Sequence, residues 1–334
     1  MRRTRRPVRA LLCLIVACAA AGAAAAIEIE RGDIRLTLHT DSSRFSIAAR
    51  DGDRWVPLLF SRDPRTSALD IRVDNRVIRI GDSGNFSQRV VRTDYGADYL
   101  WTSTTLDVTQ RFEFIRSDDS THENGIEITV TVRNRAEQPV DVAARLLLDT
   151  YLGEETNTHF VTDRGDRIAT ERAIDAGSGI RFVRSVATPD DPIGLQIMVA
   201  DAQVTAGTLS VANWRRLTEA TWAFQANDTR NFNRLPYSIN DSAALIVYEP
   251  QTLRTGEVYR VVARVGLPSN ARFLDPTTTA ATTRDTDLTG ALIDRVRLIL
   301  KRIDEISESD TVTAEEVETL RAELRLLSEL IRGR

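Results

Sequence analysis

Residues 27–272 alternate apolar and polar side chains with a period of two almost without a break, and that pattern confines the chain to β-structure. Residues 34–38 (IRLTL) alternate cleanly, and Phe45-Ser46-Ile47 begins the next strand. Asp51-Gly52-Asp53 predicts a hairpin turn into residues 55–59, and Asp74-Asn75-Arg76 predicts a second between residues 69–73 and 77–80. Residues 106–115 (LDVTQRFEFI) and 126–132 (IEITVTV) predict a longer antiparallel pair around a tip containing Asn124-Gly125. Residues 140–148 are expected to pair next, after the Gln138-Pro139 turn. Segments 180–186, 194–199, 204–212, 243–248 and 258–265 continue the pattern. Tight turns between strands predict a large antiparallel β-sandwich over residues 27–274, one domain because no linker-like segment divides it.

One strand departs from simple alternation. In VDVAARLLLDTYLGEETNTHFVT (140–162), Leu146-Leu147-Leu148 is a continuous apolar run, the mark of a strand covered on both faces. It empties at once into Asp149, Gly153, Glu154, Glu155, His159 and Asp163. A rigid strand that delivers acids and a histidine to a loop is a place to look for a site.

Both ends of the chain read differently. Residues 1–26 carry five arginines and no acid, then an apolar stretch and an alanine-rich zone, the grammar of a secretory signal. The protein is therefore expected to be exported, to the periplasm or outer surface. Ile15-Val16-Ala17-Cys18 also resembles a lipobox that would anchor the chain through Cys18. Loss of the leader takes the formal net charge from −4 to −9 and removes both cysteines, Cys13 and Cys18. An acidic chain is a poor partner for nucleic acid, and no later segment is apolar enough to predict a transmembrane span. Residues 275–286 (PTTTAATT at their core) predict a linker, and residues 287–334 a helical hairpin. Thr313 and Glu316 form a capping box for its second helix. Leu320, Leu324, Leu327 and Ile331 step by three and four in a coiled-coil-like seam suited to self-association.

Three constellations are candidates for chemistry. The first is the loop after Leu148, with Asp149, Glu154 and His159. Three histidines in all, His39, His122 and His159, make a zinc site improbable, and no EF-hand spacing is present, so neither a metal nor a cofactor is expected. The plainer role of these acids is to cap loop backbone, with Gly153 at positive φ. The second is Asn213-Trp214-Arg215-Arg216 with Trp222, which suits sugar recognition but equally a core tryptophan under arginines. The third runs from Arg230 to Ser242 and places Asn240 and Asp241 before an apolar strand, as Asp149 stands after one. The mature chain lacks the nucleophile elbow, the phosphate-binding glycine loop, the HExxH pair and the CxxC pair.

LLLDTYLGEETNTHF, ANWRRL and PYSINDSA resemble a group of uncharacterised secreted bacterial proteins with a β-sandwich and a short helical tail. The resemblance implies a fold and a compartment and carries no activity. In architecture only, a sandwich of this size is similar to galactose-mutarotase-like supersandwich domains. Two functions are expected from these features. One is a non-enzymatic envelope protein that binds a glycan or another envelope protein through sandwich loops and assembles through its tail. The alternative is a carbohydrate-binding or carbohydrate-active protein, with Asp149, Glu154, His159 and Asp241 as acids or bases and Trp214, Arg215, Trp222, Arg230 and Asn240 as ligand contacts. Convergence of Asp149, His159 and Asp241 in one pocket distinguishes them.

Overall fold

The computed structural model describes residues 26–279, together with residues 296–301, 303, 320–322 and 324. The leader with Cys18, most of the predicted hairpin, and Leu327 and Ile331 of its seam lie outside the described residues.

Ala26–Arg31 (β1), Ile34–His39 (β2), Arg44–Asp51 (β3) and Arg54–Pro57 (β4) form a four-stranded antiparallel sheet. Ala68–Val73 (β5) and Arg76–Arg79 (β6) begin a seven-stranded sheet. Ser87–Thr93 (β7), Gly96–Thr102 (β8), Leu106–Ile115 (β9) and Gly125–Asn134 (β10) begin a nine-stranded one. From there the chain passes back and forth: Val140–Thr150 (β11), Phe160–Thr162 (β12), Arg167–Ile168 (β13), Arg172–Ile174 (β14), Phe182–Val186 (β15), Gly194–Met198 (β16) and Gly207–Asn213 (β17). A six-residue helix, Trp214–Glu219 (α1), precedes Ser242–Tyr248 (β18), Gln251–Leu253 (β19) and Val258–Gly266 (β20). The large sheets run β13-β12-β15-β16-β20-β10-β9-β8-β7 and β14-β17-β18-β11-β5-β6, with β19 paired to β11. Inner-face side chains of all three sheets meet in one apolar core, from Ile34 and Phe45 through Ile71 and Leu146 to Phe112, Ile128 and Val265. The architecture is the expected antiparallel β-sandwich.

The triple leucine explains why β11 lies inside its sheet. Leu146 and Leu148 enter the main core, while Leu147 faces the other way, into a second cluster with Ala212, Leu217, Ala243 and Leu245 under α1. Burying each leucine contributes about 1.5–3 kcal/mol. The expected pairing of this strand with its predecessor is corrected: β11 pairs with β5, β18 and β19 in the opposite sheet. The crossing is held by the Asn134 amide, which donates to Gln138 O at 2.9 Å and Leu253 O at 3.0 Å. The predicted turns at Gly52 (φ +59) and Asp74 (φ +50) are hairpin tips in the left-handed region. A β7–β8 hairpin that the alternation did not single out borders the nine-stranded sheet.

At the end of the sandwich, Asp275 starts a helical turn where a linker was expected. Its carboxylate accepts from Thr278 N at 2.8 Å, and its carbonyl accepts from Thr279 N at 2.9 Å. The described residues beyond 295 are helical; Ile299 is buried, whereas Leu298, Leu300, Ile303 and Leu324 are exposed.

Candidate functional site

Strand β11 carries Asp149 on the same face as Leu147, opposite Ala243 of β18. Because β11 and β18 are antiparallel neighbours, the residue that ends one and the residue that begins the other lie side by side, and Asp241 joins Asp149. Glu154 folds back from the following loop, and its Oε1 accepts from Ser242 N at 2.9 Å. Burial pushes Asp149 up to about 7, with Asp241 and Asp63 adding repulsion and a Thr66 hydrogen bond opposing it. Burial pushes Glu154 up to about 8 against the Ser242 hydrogen bond, with Asp241 and Asp149 adding. Asp241 is raised by the same cause, opposed by Ser238. Burial, helped by their mutual repulsion, therefore favours the protonated form of Asp149 and Glu154.

The surroundings of this trio are clasps. Ser67 Oγ accepts from Asp149 N at 3.0 Å, and Asp149 O accepts from Phe60 N at 2.9 Å. Asn213 caps α1, and its amide donates to Phe232 O, Ser238 Oγ and Asp241 O. Asn240, at φ +52, donates from its amide to Glu154 O at 3.4 Å. The indole N–H of Trp214 is spent on Thr66 O at 2.9 Å, and its ring packs on the cluster under α1. The acids are brought together, yet their partners are loop groups, the Thr66 and Ser238 side chains and the Ser242 amide.

The other sequence candidates do not join them. His159 is buried against Phe232, ring centroids 4.4 Å apart, with Nε2 beside Asn157 Oδ1. Burial, reinforced by Arg167, lowers it to about 4, so it is a neutral packing group at neutral pH. Its contacts are with Phe232 and Asn157, and it makes no hydrogen bond to Asp149, Glu154 or Asp241 among the described residues. Trp222 lies under Arg72 and Arg145, whose guanidinium carbons are each 5.1 Å from its ring; Arg145 sits four residues before Asp149 on β11. Arg215 pairs with Glu219 and covers Tyr237. Arg230 is exposed, and its backbone carbonyl accepts from Glu171 N. Gly153 serves close approach rather than positive φ: a Cβ there would lie 2.3 Å from His159 N and 2.8 Å from Val186 O. Gly153→Ala is accordingly expected to cost about 2–3 kcal/mol in urea unfolding, as overpacking against backbone does; a loss under 0.5 kcal/mol would show that the loop yields.

A different site lies on the outer face of the nine-stranded sheet. Alternation sends Asp107, Thr109, Arg111 and Glu113 of β9, Glu127, Thr129, Thr131 and Arg133 of β10, and Arg260 and Arg264 of β20 away from the core. Glu113 stands directly opposite Glu127. Like charges in that position repel, and the sheet compensates. Arg264, 1% exposed, donates to Glu127 Oε2 from Nε at 2.9 Å and from Nη2 at 2.6 Å, and from Nη1 to Phe273 O at 2.8 Å and to Gln203. Asp98 of β8 receives a two-pronged pair from Arg111. Glu113 has no such clamp, and burial raises its carboxyl, opposed by Arg111. Glycine at position 96, opposite Glu113, leaves no side chain over it; a Cβ there would meet Phe112 O.

Two cavities open on this face. One of about 500 Å³ is lined by Glu113, Glu127, Arg260 and Arg264, with Tyr95, Gln203 and the Asp275 turn around it. The other, about 910 Å³, is lined by Arg89, Leu100, Thr109, Arg133 and Arg135, with Thr255 and Gly256 at its side. From Glu127 to Arg133 along β10 the face extends about 20 Å, enough for a short oligosaccharide. Donors and acceptors alternate along it with few apolar side chains between them. It can grip a polyol chain through its carboxylates, hydroxyls and guanidinium groups. Sequence reading passed over this face because polar positions of an alternating strand look solvent-facing; the facing glutamates and the YRVVAR arginines were the available signal.

No protein-family model and no curated protein matches the chain. Among solved structures it is similar to a polysaccharide lyase, with 11% identity and a TM-score of 0.42, over 71% of this chain and 32% of the lyase. It is similar to a galactose mutarotase related enzyme from Lactobacillus acidophilus, with 9% identity and a TM-score of 0.40, over 75% and 99% of the two chains. A GH36 alpha-galactosidase from Geobacillus stearothermophilus gives 10% identity and a TM-score of 0.43, over 74% and 41%. The chain thus spans less than half the length of the lyase and of the galactosidase. The neighbours named are carbohydrate-active proteins.

Proposed function

We propose that the protein binds a glycan along the outer face of its nine-stranded sheet. The observation that carries this reading is the Glu113–Glu127–Arg264 row: one carboxylate clamped by arginine, its neighbour open to a cavity of about 500 Å³. A pocket with a few convergent polar groups is the default ligand site, and carboxylates paired with arginines present the acceptors and donors that sugar hydroxyls need. The loop acids at Asp149, Glu154 and Asp241 serve the sandwich as a clasp in this reading, and Trp214 as an apolar anchor.

A glycan array followed by calorimetry on the best ligand tests it. Glu113→Gln is expected to weaken binding about tenfold or more, the worth of one charge-assisted hydrogen bond, while Trp214→Ala leaves affinity within about twofold. Absence of any array ligand, or a loss confined to Trp214→Ala, would return the site to the loops. The raised Glu113 carboxyl also favours a second reading, acid–base turnover of the bound glycan. It requires new products from the array ligand with the wild type and none with Glu113→Gln.

A further inference from the structure

The larger cavity says which glycans. Six arginines stand on this face or at its rim, Arg89, Arg111, Arg133, Arg135, Arg260 and Arg264, against the acids Asp98, Asp107, Glu113, Glu127 and Asp275. Three of the arginines are paired: Arg111 with Asp98, Arg135 with Asp107 and Arg264 with Glu127. Arg89 and Arg133, both exposed and both lining the cavity of about 910 Å³, have side chains with no hydrogen bond or ion pair among the described residues. Arg260 donates to Thr129 Oγ1 at 3.4 Å and lies within electrostatic reach of Glu113. An acidic chain, net −4, thus presents two unpaired guanidinium groups, Arg89 and Arg133, at one cavity.

The register places these guanidinium groups. Arg89 of β7, Leu100 of β8, Thr109 of β9, Thr131 of β10 and Arg260 of β20 lie in one row across the sheet. Arg133 stands one row further along β10, opposite Asp107. An arginine therefore closes each end of a row floored by Leu100, Thr109 and Thr131, with four strand spacings, about 19 Å, between them. The fork of a guanidinium matches a planar carboxylate, and unpaired arginines in a cleft attract anions.

We infer that the cavity at Arg89 and Arg133 is a subsite for the anionic group of an acidic glycan, with sugar carboxylates as the best fit. This rests on the glycan reading above and narrows it. The test uses the full mature chain on an array of neutral, uronate-bearing and sulfated glycans, then calorimetry with the best uronate oligosaccharide and its carboxyl-reduced form. The wild type should prefer the acidic form by at least about tenfold, with affinity falling as salt rises. Arg89→Gln/Arg133→Gln should erase the preference, bringing the acidic and reduced forms to within about twofold of each other, and should leave the melting temperature unchanged. Equal binding of both forms, or a preference that survives the double substitution, overturns the inference and leaves glycan binding standing. Binding of sulfated chains alone overturns the carboxylate assignment. No binding to any glycan by folded protein overturns both readings.

Discussion

Replacing Arg264 with methionine is expected to lower stability by about 3–5 kcal/mol at neutral pH, the cost of removing one partner of a buried ion pair. Arg264 and Glu127 have side chains 1% and 8% exposed, so the orphaned Glu127 would be left buried beside Glu113 with its guanidinium partner gone. Phe273 O and Gln203 would lose a donor at the same time. The companion Glu127→Leu/Arg264→Met should recover much of the loss, because an apolar pair leaves no buried charge. Urea unfolding of the two variants decides it. A single variant within 1 kcal/mol of wild type would mean that the pair is solvated and that the row is not the fixed floor of a site.

The second large effect is a gain. Asp149→Asn should stabilise the protein at pH 8.5 by about 2–4 kcal/mol, given ~1.4 kcal/mol for each pH unit by which its carboxyl is raised. An acid raised from 3.8 to about 7 binds its proton more tightly in the folded state than in the unfolded one. The stability this brings is complete below pH 4 and is lost as pH climbs through about 7. Glu154, raised to about 8, extends the loss upward, by less than its shift implies because solvent screens a half-exposed group. His159 acts in the opposite sense: its value lowered to about 4 costs stability as pH falls below 6.5. The clean window is therefore pH 6.5–8.5, where wild-type stability should fall and that of Asp149→Asn should fall less. Chemical unfolding across that window reads both. A flat wild-type profile would show that the Asp149 and Glu154 carboxyls are not raised by burial.

These two predictions concern parts of the molecule that differ in how visible they are in the sequence. The acid trio is legible: Asp149 ends an apolar run and Asp241 begins one, so antiparallel pairing of those runs brings the acids together. Leu147 was legible as well, because a run without alternation needs cover on both faces. What covers it was hidden, since α1 and the loop after it are placed by Asn213 through contacts with Phe232 and Asp241, remote in sequence. The crossing of β11 to the opposite sheet was likewise invisible, because alternation fixes which face a residue takes and says nothing about which strand is its neighbour. His159 looked like an acid–base group by residue type alone. Its fate was decided by Phe232 and by burial.

The groove was missed for the opposite reason. Glu113, Thr129, Thr131 and Arg260 fill the polar half of alternating strands, where solvation is the ordinary outcome. Only the cross-strand register, which sets Glu113 against Glu127 and Arg264 beyond it, converts a polar face into a row with opposed charges and a cavity. Arg89 was further from view, because the β7–β8 hairpin that carries it begins with the polar run Ser87-Gln88-Arg89.

Thr131 stands half-buried at the middle of that face, between the two cavities. Calorimetry of Thr131→Trp against the best array glycan therefore tests the central claim most directly. An indole placed there should block the path between Glu113 and Arg133, abolish binding and leave the melting temperature within a few degrees of wild type. Undiminished affinity in a folded Thr131→Trp protein would contradict a glycan site on this sheet.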